Sequence, residues 1–113
     1  MTDRADISDI IRELCALVSP LFPQEEPEAI LFGSYARGDA EPDSDLDVLL
    51  LVDMPRDAIS ERSWQVGSLA AELLLEHGIV VSPIVENRRY FRENAEVLPF
   101  FRNIQREGVP FCG

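Results

Sequence analysis

The sequence predicts a small α/β or α+β fold, with one sheet flanked by helices. Three observations lead there. Apolar residues recur at helical spacing in three segments of the chain. Between these segments stand short continuous apolar runs of strand length. Hydrophobic residues make up 46% of the 113 residues, which suits a packed core and not a disordered chain. The length suits a single domain over residues 1–113.

In chain order, Ile7, Ile10, Ile11, Leu14, Leu17 and Val18 mark an amphipathic helix. Asp6 or Ser8 is placed to cap its start, and Ser19-Pro20 stops it. Pro20, Pro23 and Pro27 make a loop of the next segment. Ala29 to Phe32 reads as a short buried strand ended by Gly33. Ser34 to Arg37 fits one helical turn, and Gly38 to Ser44 a polar loop. Leu46 to Val52 is apolar throughout, as a central strand buried on both faces would be.

After Asp53-Met54-Pro55, one long helix is expected from about Asp57 to His77. Its buried face would be Ile59, Val66, Leu69, Ala70, Leu73 and Leu74, with Gly78 as the C-terminal cap. Ile79 to Val85 is the third strand, and Pro83 places it at a sheet edge or a bulge. Asn87 to Ala95 is charged, with Tyr90 and Phe91 as apolar anchors. Val97 to Glu107 predicts a last helix with Phe100, Phe101 and Ile104 on its core face, ended by Gly108-Val109-Pro110. The predicted order is helix, strand, strand, helix, strand, helix.

Charge limits the partners. The formal net charge is -11, from 10 Lys+Arg against 21 Asp+Glu. The cations form no dense patch, so direct nucleic-acid binding does not fit. Acidity serves solubility and is compatible with a basic protein partner. No apolar run spans a bilayer, and Met1 to Asp6 lacks the order of a secretion signal. The expected setting is the cytoplasm, without a membrane partner.

Cys15 and Cys112 are too isolated for a disulfide framework or a zinc site and read as reduced thiols, one of them buried. His77, the only histidine, precedes Gly78, where an imidazole would face the helix's last carbonyls. One histidine cannot build a His-rich metal site.

The chemistry concentrates between Gly33 and Leu50. Asp45 and Asp47 stand two residues apart at a strand start, so both carboxylates point to one face. Such a pair suits Mg²⁺ or Mn²⁺ together with substrate phosphates. Without a cation their repulsion at a buried strand is costly. Gly33 lets the backbone approach a ligand closely. The amides of the next helical turn and the Ser34 hydroxyl suit phosphate oxygens. Arg37 adds a guanidinium that can fork onto phosphate. Each feature alone is commonplace: a turn, a loop rim, a solvated arginine. Their joint order after a buried strand describes a site for a metal-bound nucleoside triphosphate.

Gly33-Ser34, ten intervening residues, then Asp45-Leu46-Asp47 resembles the signature of the nucleotidyltransferase superfamily with the DNA polymerase β-like fold, a small mixed sheet flanked by helices. The size resembles that of the minimal nucleotidyltransferases, and Pro99 to Val109 resembles the tail of small proteins in this group. The resemblance implies ATP as substrate and two Mg²⁺ ions bridging Asp45, Asp47 and the triphosphate. It implies that Gly33 and Ser34 hold the β- and γ-phosphates and that Arg37 offsets charge on the leaving pyrophosphate. An acceptor hydroxyl would attack the α-phosphorus in line.

The family pattern usually includes a third carboxylate on the next strand. Here Ser82 stands near that place, and Glu86, of the same parity, is the candidate acid at the strand's end. A tyrosine acceptor, with an ordinary pKa of about 10, needs less help from a base than an aliphatic alcohol. The resemblance extends to antitoxins that inactivate a HEPN-type toxin by transferring AMP to a tyrosine. Two other readings remain open: an aminoglycoside-like small-molecule nucleotidyltransferase, and a catalytically weak module that neutralises its partner by contact.

Overall fold

The computed structural model describes residues 4–22 and 27–112. Helix α1 (Arg4–Val18) runs into a single 3₁₀ turn at Ser19–Leu21, where Pro20 ends the α-helical ladder. Asp6 and Ser8 lie within the described span of α1 rather than ahead of it. Much of the expected proline loop lies outside the described residues. Strand β1 (Glu28–Phe32) leads through Gly33 into the one-turn helix α2 (Ser34–Arg37). Strand β2 (Leu46–Val52) has the predicted bounds.

The expected helix from Asp57 to His77 is two helices, α3 (Arg56–Glu61) and α4 (Ser63–His77), parted at Arg62. Side chains there compete for the carbonyls of α3. Arg62 Nη1 donates to the Ala58 carbonyl at 2.9 Å, and Ser63 Oγ to that of Ser60 at 2.9 Å. Gly78 closes α4 in the left-handed conformation, with φ 71°, as predicted. Strand β3 (Val81–Asn87) starts two residues later than expected. Helix α5 (Arg88–Asn94) follows directly, capped by the Asn87 side chain, which accepts from the Tyr90 amide at 2.9 Å. Helix α6 (Pro99–Glu107) follows, then strand β4 (Val109–Cys112), which the sequence did not suggest. Pro110 argues against a central strand, but β4 is an edge strand, where a proline is tolerated.

The sheet is mixed, in the order β3-β2-β1-β4. β1 pairs antiparallel with β2 and β4, and β2 runs parallel to β3. β3 is therefore an edge, one of the two placements that Pro83 allowed. The backbone fixes which side is free. Leu46 donates to the Val80 carbonyl at 2.8 Å, so even-numbered residues of this parallel strand face β2 and odd-numbered ones face outward. The amide that Pro83 lacks belongs to the outer side.

Leu46, Val48, Leu50 and Val52 face α1, α3 and α4, packed with Ile11, Leu14, Val66 and Leu73. Leu49 and Leu51 face the other way, towards Phe91, Phe101 and Ile104 of α5 and α6. This double burial explains the continuous apolar run, and truncating Leu49 or Leu50 to Ala should cost about 2–5 kcal/mol. Two expected core residues are exposed instead. Leu74 is 40% exposed and Phe100 48%, because their helices bury narrower faces than the apolar pattern suggested. Leu69 and Cys15 are half-buried. His77 Nε2 meets Glu13 Oε2 at 2.8 Å, tying α4 to α1 rather than turning to its own helix's carbonyls. Glu13, Glu76 and His77 form the one group of three ligand-type side chains found close together among the described residues. No helix among them is long and apolar enough to cross a membrane.

Candidate active site

Gly33 joins β1 to α2 with φ 77° and ψ -156°, a backbone that side-chain-bearing residues rarely adopt. A second reason also demands glycine. Phe32 pairs with Asp47 across the β1–β2 ladder, and a Cβ at Gly33 would collide with Oδ2 of Asp47. The phosphate-type turn and the carboxylate are thus in direct contact. The Gly33 carbonyl accepts from the amides of Ala36 and Arg37, each at 3.1 Å, which closes the single turn of α2. The first amides of that turn have no acceptor within the helix.

The loop to β2 is shaped by a turn at Glu41-Pro42-Asp43-Ser44. Ser44 donates its amide to the Glu41 carbonyl at 3.0 Å, and the Glu41 amide donates to Ser44 Oγ at 2.8 Å. Proline at the second position suits such a turn. It delivers Asp45 to the mouth of β2, exposed, and Asp47 one strand repeat later, half-buried. Neither carboxylate makes an ion pair within 4 Å among the described residues. Burial holds the Asp47 pKa above the ordinary carboxylate range. The charge of Asp45 pushes it the same way, and the charge of Arg37 opposes both.

Arg37 lies at the end of α2. Its Nε donates to Asp39 at 3.3 Å and its Nη1 to Glu107 at 3.5 Å. The hydrogen bond and charge of Asp39 hold its pKa above the usual guanidinium range. Glu107, at the end of α6, is a neighbour of the site that sequence reasoning missed. A contact between residues 70 positions apart leaves no local signal.

Gly33, Ser34, Arg37, Asp45 and Asp47 therefore come together at one end of the sheet. Ser82 joins them, paired with Asp47 in the parallel ladder. Glu86 does not. It pairs with Leu51, four residues further along, about 13 Å from the Asp47 position at strand rise. Its carboxylate is buried and engaged by Arg56 Nε at 3.1 Å and by the Asn87 amide at 2.8 Å. The expectation of Glu86 as the third catalytic acid is corrected on this geometry.

Two carboxylates without a cationic partner, one of them raised in pKa by burial and mutual repulsion, suit a hard divalent cation. Asp45 and Asp47 are the residues that would hold it. A glycine-serine turn with open amides, one strand away, suits the phosphates such a cation carries. A turn and a carboxylate pair so arranged define a site for nucleotidyl transfer. The chain belongs to the nucleotidyltransferase domain family, whose model matches residues 7–107.

Relatives agree. Two proteins of Methanocaldococcus jannaschii, each named "Putative protein adenylyltransferase", are similar to this chain. One is 39% identical over 79 residues, covering 70% of this chain and 71% of the relative. The other is 38% identical over 81 residues, covering 71% and 79%. The solved structure "Crystal structure of the toxin-antitoxin with AMP-PNP" superimposes with a TM-score of 0.57 at 18% identity. The match covers 94% of this chain and 73% of that one, and shows the shared fold.

Proposed function

We propose that this nucleotidyltransferase is a Mg²⁺-dependent protein adenylyltransferase. It transfers AMP from ATP to a hydroxyl of a partner protein, in the first instance a tyrosine of a HEPN-type toxin that it counteracts. The observation that carries the reading is the contact of Gly33 with the half-buried Asp47 carboxylate, which joins phosphate turn and cation site into one unit. The names of the relatives support the protein acceptor. The toxin–antitoxin setting of the structural neighbour supports the role. The proposed setting is the cytoplasm, where ATP is supplied.

In the proposed reaction Gly33 and Ser34 hold the β- and γ-phosphates through the open amides and the hydroxyl. Arg37, braced by Asp39 and Glu107, faces the leaving group's charge. Asp45 and Asp47 would hold the cation, which would supply Lewis-acid charge to the phosphoryl oxygens. The acceptor oxygen forms a bond to the α-phosphorus. The bond from that phosphorus to the bridging oxygen breaks, pyrophosphate leaves with the electron pair, and the hydroxyl proton goes to solvent. Ser82 opposite Asp47 contributes no base of its own. A phenolic acceptor fits this gap.

The test is incubation of the protein with ATP, Mg²⁺ and the purified product of the adjacent gene. Intact mass of the partner should rise by one AMP, and a tyrosine should carry it. An unmodified partner would sink the catalytic reading. Neutralisation that survives Asp45→Asn with Asp47→Asn would favour a module acting by contact.

A further inference from the structure

The sheet order separates the two halves of the reaction. The phosphate turn follows β1, the carboxylates begin β2, and the far side of the carboxylates is the edge strand β3. A nucleotide held at the turn after β1 would leave the β3 side of the carboxylates to an in-line acceptor. Outside β3 lies a groove of about 520 Å³ between that strand and helices α3 and α4. Ile59, Val66, Pro83 and Val85 give it an apolar floor, and Gly67 leaves one wall open. Nothing lies within 4 Å of a Cβ built at Gly67, although a glycine inside a helix is a weak choice on propensity alone. Trp64, one turn earlier on α4, is 71% exposed.

We propose that this groove docks the protein acceptor, through a segment with an apolar anchor and basic flanks. The inference rests on the protein-adenylyltransferase reading above. Three features select this occupant.

The first is reach. Pro83 directly follows Ser82, the partner of Asp47, but the groove opens on the α3–α4 side, whereas Asp47 shares the strand parity of Leu49 and Leu51 on the opposite side. Passing around β3 takes about two strand spacings, roughly 10 Å. About three extended residues cover that, so one polypeptide can fill the groove and present a hydroxyl at Asp47.

The second is charge. Asp57 lines the groove, and Glu61 lies one turn further on the same face of α3. The cation at the mouth, Arg56, is already held by Glu86 and stacked 3.9 Å over the Tyr90 ring. The rim thus favours arginine or lysine.

The third is the strand edge. The outward positions include the carbonyls of Val81, Pro83 and Val85, while Pro83 has no amide to give. Continuous strand addition is blocked there, and hydrogen-bond donors on the visiting segment are favoured. Aromatic anchors such as Trp64 commonly dominate such interfaces.

The test compares wild type with Gly67→Met, which fills the groove at a site that already has room, and with Asp57→Lys/Glu61→Lys. AMP transfer to the purified product of the adjacent gene is followed at varied partner concentration, and ATP binding is titrated separately. Expected for Gly67→Met is a KM for the partner at least tenfold higher, with ATP affinity unchanged and a thermal midpoint no lower than that of wild type. Expected for the charge reversal is a similar rise at low salt that shrinks as salt increases. If wild type transfers AMP and both variants match it, the groove is not the docking site and the reading of the activity stands. If wild type modifies no partner, both the activity and the docking proposal fall.

Discussion

The two ends of the sheet treat charge in opposite ways. At the end away from the site, three arginines meet three carboxylates. Arg88 Nη1 donates to Glu28 at 2.7 Å, its Nε to Asp53 at 3.1 Å and its Nη2 to the Leu51 carbonyl at 3.2 Å. Arg92 also reaches Glu28, and Arg56 holds Glu86. At the other end, residues 37–47 carry five carboxylates and one guanidinium. Asp45 and Asp47 are left without an ion pair among the described residues. The first end is complete in itself and serves the fold. The second keeps charge unpaired, as a binding site does and a structural ion lattice does not.

The sharpest way to break this comparison is at the unpaired end. Asp45→Asn or Asp47→Asn should lower AMP transfer by about 10³-fold, as loss of preorganised charge stabilisation does, while circular dichroism stays unchanged. Full activity in either variant would remove the cation site.

Gly33→Ala should follow, at about 10²-fold in activity with about 1–3 kcal/mol lost in stability, because the new Cβ meets Asp47 and the backbone is left-handed. Steady-state kinetics and a urea melt measure the two effects.

At the paired end the expectation reverses. Arg88→Met should cost about 2–3 kcal/mol, since Glu28 and Asp53 lose a partially buried partner, but leave activity per folded molecule intact. Loss of activity without loss of stability would erase the distinction between the ends.

The smallest effect concerns Asp47 itself. Its folded pKa is raised, so the folded state binds a proton more tightly than the unfolded one. Stability should therefore fall as pH rises from the ordinary carboxylate range through the raised value, and stay lower above it. Metal-free Asp47→Asn should lose that slope and melt higher than wild type at neutral pH. Added Mg²⁺ should raise the melting point of wild type and not of the variant. A flat pH response in the wild type would refute the unpaired carboxylate.

Much of the unpaired end was legible because it is one continuous stretch. Gly33 after an apolar run, Ser34 to Arg37 as one turn and Asp45 with Asp47 on one face all follow from local backbone rules. The paired end was opaque. Arg88, Glu28 and Asp53 are dispersed along the chain, and no spacing announces that they meet. The break at Arg62 was hidden for a different reason, since side-chain bonds to the Ala58 and Ser60 carbonyls overrode a helical apolar pattern. The family resemblance drawn from the motif agrees with the match over residues 7–107.

The sequence by itself determined strands β1 to β3, most of the buried face of each main helix and the order of the Gly33 to Asp47 motif, because each is set by neighbours within a few positions. Only the tertiary structure decided the register that puts Ser82 beside Asp47 and sends Glu86 to Arg56. It also decided the bracing of Arg37 by Glu107, the pairing of β4 and the groove outside β3. Those depend on how separate elements slide and pack against one another. A shift of one residue would turn each strand side chain to the opposite face, and the buried apolar faces on both sides of the sheet hold the register against it.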